Sequence, residues 1–277
     1  MKITRADAKD LTSMRCGGAI DHLIAVESRE ELTTLAAGLA SFMILGGGTN
    51  TIFSDEPTTF PVLQLGQAFH FIRREGDLIH AGGGAALASL LVFCREQGLS
   101  GLEDLAGIPG TLGGALRMNA GTGGWGIMDA VSAVEVVDAS GVHTLDRAHI
   151  AYTYRRTDLP AAAVVTGAWL KLREEAVQVI SQRIAANLQR RKDQPKGASS
   201  GCIFKNPSGQ SAGKLIDQAG LKGHRIGGAC ISEQHANFII NTGGAATADI
   251  KALMTLIRRT VQDQYGIVLE EEVRIIG

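Results

Sequence analysis

The stretch Phe42-Met43-Ile44-Leu45-Gly46-Gly47-Gly48-Thr49-Asn50 decides how the rest of the chain is read. Four apolar residues in a row suit a short buried strand, and they run directly into three glycines. Just upstream, Ser28-Arg29-Glu30-Glu31 reads as a capping box, with Leu32, Leu35, Ala36 and Leu39 following at helical spacing. Helix, strand, then glycine loop is an α/β opening. The loop has two readings: a tight turn, or a run of backbone N–H groups that accepts a phosphate. It lacks the Gly-Lys-Ser/Thr ending of a P-loop and does not have the G-x-G-x-x-G spacing of a Rossmann turn.

Further along, Leu78-Ile79-His80-Ala81 runs into Gly82-Gly83-Gly84, and Leu87, Leu90, Leu91 and Cys94 mark an amphipathic helix that stops at Gly98. Gly98 to Gly126 holds ten glycines and only three charged residues, Glu103, Asp104 and Arg117. So much glycine disfavours an ordinary helix or strand and predicts a long ordered loop around a ligand. Two glycine arrays, 46–50 and 107–121, suit the two ends of an extended ligand such as a dinucleotide; a loop-rich core is the alternative. Val131–Asp138 and Val142–Leu145 read as a hairpin about an Asp138–Gly141 turn, and Val164–Leu172 as a further strand. Residues 176–193 form a polar helix ending in Arg190-Arg191-Lys192, which normally face solvent, and 194–200 has linker composition. The last third predicts a helix at Ala212–Gln218, a strand near Asn237–Asn241, a long helix with Thr247 as N-cap and Gly266 past its end, and a final strand at Glu272–Ile276. Ile250, Leu253, Met254, Ile257 and Val261 make the buried stripe of the long helix.

The chain has 277 residues and a net charge of −1, which argues against a general nucleic-acid binder and suggests about two domains. No apolar run reaches the roughly 18 residues of a membrane span, and no signal peptide is legible, so the expected compartment is the cytoplasm. The seven histidines and four cysteines show no metal-ligand spacing, so no metal is expected. Cys16, Cys94 and Cys230 read as small buried apolar residues. Cys202 lies in Ser200-Gly201-Cys202-Ile203-Phe204-Lys205-Asn206-Pro207, a turn-rich setting that is a poor place for a core residue.

Taken together, Gly46–Asn50, Gly107–Ala115, Met118–Gly121, Tyr154-Arg155, Gly201–Pro207, Ala219–Gly223, His235–Phe238 and Leu269–Gly277 resemble the MurB family of flavin-dependent reductases, in the family's order and over nearly the whole chain. The resemblance implies a mixed α/β (α+β) fold. A two-part FAD-binding region of the MurB and vanillyl-alcohol-oxidase-like type would occupy 1–57 and 58–175, and a third, substrate-binding α+β domain 176–267, with strand 268–277 near the active site. It implies FAD as cofactor, NADPH as co-substrate, and reduction of UDP-N-acetylglucosamine enolpyruvate to UDP-N-acetylmuramate for peptidoglycan. A monomer is expected, with no nucleic-acid partner and no membrane insertion.

Residue by residue, the resemblance puts Arg155, Glu272 and Cys202 in catalysis, with Cys202 where the family usually has a proton-donating serine. It puts Gly46, Gly47, Gly48, Thr49, Asn50, Gly107, Ile108, Pro109, Gly110, Thr111, Gly113, Gly114, Met118, Asn119, Ala120 and Gly121 around the flavin. Tyr154, Asn206, Lys214 and Lys222 would meet the sugar nucleotide. The family's usual tyrosine and glutamate after Met-Asn-Ala-Gly are Gly123 and Gly126 here, with Trp125 nearby. Hydride addition to the vinyl carbon leaves negative charge in the adjacent carboxylate, which a guanidinium stabilises. A thiol, with an ordinary pKa of about 8.5, is a far stronger acid than a serine hydroxyl and stays protonated at pH 7, so Cys202 is chemically competent and open to oxidation. Two rivals stand beside this reading: a related FAD oxidoreductase with another substrate, and a colourless, non-catalytic sugar-nucleotide-binding protein.

Overall fold

Residues 2–277 are described by a computed structural model. The chain divides into two units. The first takes residues up to Ile3, Ile24–Gly47 and Pro61–Lys192; the second takes Thr4–Leu23, Gly48–Phe60 and Asp193–Gly277.

The valine-rich segments build the first unit. Its sheet runs Gly141–Asp146, Val131–Asp138, Val164–Lys171, Leu78–Gly82, Ile72–Glu75, each strand antiparallel to its neighbour. Helix Leu87–Glu96 buries Leu87, Leu90, Leu91 and Cys94 in the core with Ile79, Val134, Val136 and Leu170. A smaller core gathers Leu32 and Leu35 of helix Arg29–Gly38 with Leu63, Phe69 and Val164. The pairing of Val164–Lys171 with Val131–Asp138 slips between Val165 and Gly167. Such a bulge re-aims the backbone: the Thr166 carbonyl accepts from Gly83 N–H at 2.7 Å. Its hydroxyl donates to the buried Glu135, which also takes Arg29 Nε at 2.8 Å.

In the second unit, helix Thr247–Tyr265 buries the predicted stripe against strands Arg225–Ile226 and Ala229–Ile231. Helix Ala212–Gln218 adds Ala212, Leu215 and Ile216 to the same core. Thr51–Phe53 pairs in parallel with Arg274–Ile276.

Five expectations are corrected. Ser28 caps its helix by accepting from Glu31 N–H, but the Glu31 carboxylate reaches back to Glu27 N–H at 2.8 Å. The glycine-rich 98–126 segment is not all loop: it contains helix Leu112–Arg117, with Gly113 and Gly114 inside it. At Gly113 a Cβ would lie 3.1 Å from Gly83 O and 3.2 Å from Val165 O, so packed backbone favours glycine there. Thr247 is the first helical residue rather than the cap. Asp55, from a distant segment, accepts from Thr247 and Ala248 N–H at 2.7 and 2.9 Å, which frees the Thr247 hydroxyl to donate to Phe53 O. The final strand starts at Arg274, since Glu272 N–H is already given to Ile203 O at 2.8 Å. Arg191 is not merely solvated: a Cβ on Gly107 would lie 2.9 Å from its Cδ, so its stem packs beside that turn.

Candidate active site

The first unit brings the two predicted glycine arrays together. A Cβ on Gly47 would lie 2.9 Å from Gly110 Cα, and one on Gly46 2.7 Å from Thr111 Oγ1. A third run, noted in sequence but not assigned to the site, completes this frame. Gly83 approaches Val165 O so closely that a Cβ would sit 2.3 Å away, and its carbonyl accepts from Gly113 N–H at 2.8 Å. Gly110 O accepts from Leu87 N–H, Ile108 N–H bonds Leu105 O, and Thr111 precedes the helix that ends at Arg117. Gly46, Gly47, Gly107, Pro109 and Gly114 are exposed, so the frame presents nearly bare backbone to solvent. Such a surface admits close approach by a group as bulky as a pyrophosphate.

Arg155 is carried by a hairpin. Strands Tyr152–Thr153 and Arg156–Thr157 pair antiparallel, leaving Tyr154 and Arg155 as a two-residue turn. Arg155 has φ +57°, a left-handed conformation that costs a side-chain-bearing residue about 1–2 kcal/mol. Strain of this kind persists only where the surroundings fix it. The Tyr152 hydroxyl donates to Asp129 at 2.8 Å and accepts from Arg147, whose guanidinium lies 4.4 Å over the ring. Burial, then the Asp129 carboxylate, hold that phenol above its usual pKa, so it stays a donor. Thr157 Oγ1 donates to Arg117 O at 3.1 Å. At the tip, Arg155 Nη1 donates to Gly121 O at 3.1 Å, and the guanidinium lies 5.3 Å from the ring of the exposed Tyr154. Asn119 is buried, and Ala120 donates to Ala115 O.

The second unit collects Asn50, Cys202 and Glu272. Residues 202–205 run between two segments. On one side Cys202 bridges Phe238 and Ile203 N–H bonds Asn237 O at 2.8 Å. On the other, Lys205 N–H bonds Glu270 O and Glu272 N–H bonds Ile203 O, both at 2.8 Å. The Asn237 side chain clamps Phe204 from both ends, accepting from its N–H at 3.0 Å and donating to its carbonyl at 2.8 Å. Asn50 Nδ2 donates to Glu272 O at 3.0 Å, and Asn50 O accepts from Arg274 N–H. Gly48 O accepts from Ser13 N–H. Cys202 and Glu272 are half-buried, whereas Cys16, Cys94 and Cys230 are buried. Burial pushes the Cys94 thiol up to about 12 and raises that of Cys16, so neither is a ready acid.

Among the expected substrate contacts, exposed Asn206 turns its carbonyl oxygen to Ala212 N–H at 3.0 Å, ahead of helix Ala212–Gln218. Lys214 is exposed on that helix, and Lys222 pairs with Asp217 at 2.7 Å. Arg190 donates to Asn187, and Trp125 packs half-buried against the first unit's main core. Sequence reasoning missed Asn237 and Asp55 as organisers of the second unit. The His235–Phe238 motif had singled out the neighbourhood of Asn237, but nothing local marks Asp55.

A model of an FAD-binding domain matches residues 20–146, and one described as the UDP-N-acetylenolpyruvoylglucosamine reductase C-terminal domain matches 193–276. The UDP-N-acetylenolpyruvoylglucosamine reductase of a Thermus thermophilus strain is 42% identical over 273 residues, covering 99% of both chains. That of an Anaeromyxobacter species is 42% identical over 272 residues, covering 96% of this chain and 86% of its own. The crystal structure of MurB from Thermus caldophilus superposes with a TM-score of 0.91 at 40% identity, covering 100% of each chain. These findings, with the glycine frame, define an FAD-dependent oxidoreductase of mixed α/β fold. The chain belongs to the UDP-N-acetylenolpyruvoylglucosamine reductase (MurB) family.

Proposed function

We propose that this chain reduces the enolpyruvyl group of UDP-N-acetylglucosamine enolpyruvate, giving UDP-N-acetylmuramate for peptidoglycan, with Cys202 as the proton donor. NADPH is the co-substrate. The exposed, side-chain-free backbone at Gly46, Gly47, Gly107 and Gly114 fits a dinucleotide pyrophosphate. Gly46–Asn50, Gly107–Gly114 and Met118–Gly121 would hold FAD, which when bound takes a hydride from NADPH and delivers it to the vinyl CH2 carbon. No helix among the described residues is long and apolar enough to cross a membrane. Water-soluble nucleotide reactants favour the cytoplasm, and a catalytic set drawn from one chain favours a monomer.

The residues divide the remaining work by chemistry. Charge that develops on the enolpyruvyl carboxylate meets the fixed guanidinium of Arg155, held by Gly121 O. Glu272 offers that enolate-like intermediate a carboxyl hydrogen bond. The Cys202 thiol then protonates the carbon next to the carboxylate. Tyr154, Asn206, Lys214 and Lys222 are the contacts proposed for the sugar nucleotide. One observation carries the role of Cys202: it is the half-buried thiol of the four, in a segment hydrogen-bonded to the one that bears Glu272.

Rapid-mixing absorbance tests the proposal by separating the half-reactions. Cys202→Ala is expected to let NADPH bleach the flavin at the wild-type rate while reoxidation by the sugar nucleotide is blocked. Cys202→Ser is expected to retain substantial turnover. Loss of the bleaching step alone in the alanine variant would refute the role, and an inert serine variant would show that the thiol does something other than donate a proton.

A further inference from the structure

The segment after helix Leu112–Arg117 touches the Arg155 hairpin twice. Asn119 Nδ2 donates to Thr153 O at 3.0 Å, two residues before Arg155, and Gly121 O receives Arg155 Nη1 at 3.1 Å. The Asn119 Oδ1 atom is also committed, accepting from Met128 N–H at 3.1 Å beside Asp129, which takes the Tyr152 hydroxyl. Asn119 is 8% exposed and has φ +42°, a conformation that asparagine tolerates better than most residues. A glycine guards this amide. A Cβ on Gly126 would lie 2.2 Å from Asn119 Oδ1, although its φ of −131° would suit any residue. In this chain a side chain at 126 would therefore crowd the Asn119 amide.

We propose that Asn119 is a positioning residue for Arg155: whatever its backbone offers the flavin, its amide ties the base of the Tyr154-Arg155 turn to the loop that holds the guanidinium at Gly121. The inference rests on the role assigned to Arg155 above. Asn119 acts in the step where carboxylate charge must be met, not in the reduction of the flavin by NADPH. A small displacement of a fixed charge partner lowers the rate by about tenfold to a hundredfold.

The test measures both half-reactions by stopped-flow in the purified flavoenzyme, with Asn119→Asp, Arg155→Ala, the double variant and Gly126→Ala. Aspartate tolerates the same backbone and keeps an acceptor for Met128 but removes the donor to Thr153. Asn119→Asp is expected to slow reoxidation by the enolpyruvyl sugar nucleotide about tenfold to a hundredfold at saturating substrate, and by more than it slows bleaching, both rates taken per bound flavin. On the Arg155→Ala background it is expected to cost nothing further. Gly126→Ala, which crowds the amide while leaving Asn119 in place, is expected to give the same selective loss and carries the test should Asn119→Asp not fold. Equal slowing of both half-reactions per bound flavin, or losses that add in the double variant, would overturn the inference. Unchanged reoxidation in Asn119→Asp beside a crippled Arg155→Ala overturns the inference alone. Unchanged reoxidation in Arg155→Ala removes the role of Arg155, and the inference with it.

Discussion

Asn237→Ala is the most informative single substitution. Asn237 is 2% exposed, and both ends of its amide are spent on Phe204, itself 1% exposed. Deleting the amide strands one buried N–H and one buried carbonyl, each at about 1–3 kcal/mol, for a loss of about 2–6 kcal/mol. For a protein of this size that lowers the melting temperature by about 5–15 °C. The backbone bond from Ile203 to Asn237 O survives the substitution, so the segment loosens around Phe204 rather than detaching. Cys202 lies two residues upstream and the Glu272 N–H bonds the residue between, so reoxidation by the sugar nucleotide should slow while bleaching by NADPH is spared. Urea titration monitored by near-ultraviolet circular dichroism gives the stability, and stopped-flow gives the rates. A loss below about 1 kcal/mol, or the expected loss with reoxidation unchanged, would refute the argument that this clamp aligns the thiol segment.

Two further substitutions probe backbone strain and pH dependence. Arg155 sits at φ +57°, so Arg155→Ala should be less stable than Arg155→Gly by about 1 kcal/mol, while both variants lose reoxidation; comparing urea midpoints checks the difference. His235 accepts from Asn237 N–H through Nδ1, and burial, reinforced by the nearby Lys222 charge, holds its imidazole below the ordinary 6.5. The unfolded chain therefore binds the proton first, and the contribution of His235 to stability is present above about pH 6.5 and declines as the pH falls through that value. Urea midpoints from pH 7.5 to 5 should fall in the wild type and fall less in His235→Gln.

Much of this fold is written in local pattern. The valine-rich Val131–Asp138 run became the expected strand although burial does not alternate along it, and the Leu87–Cys94 spacing and the stripe from Ile250 to Val261 became the expected helices, because there period and burial agree. What local pattern missed came from partners far away in the chain. Thr247 reads as a cap until Asp55 arrives from another segment. Gly113 reads as loop until the backbones of Gly83 and Val165 explain why a helix there is bare on that side. At the site, the unusual setting of Cys202 is visible in its neighbours in sequence, and the role proposed for it rests on family resemblance. Asn237 and Asn119 matter through backbone carbonyls that no motif encodes.

The parallel pairing of Thr51–Phe53 with Arg274–Ile276, reinforced by the Asn50 bond to a residue 222 positions away, has a consequence for biosynthesis. An early strand must wait, half-matched, while most of the polypeptide leaves the ribosome. Contacts of such long range form late and slowly. A terminated or nicked product lacking this stretch would leave Thr51–Phe53 as an unpaired apolar edge, inviting self-association, and would lack Glu272 as well. Pairing of the strand at 274–276 thus comes only after Glu272, the carboxyl proposed for catalysis, has been made.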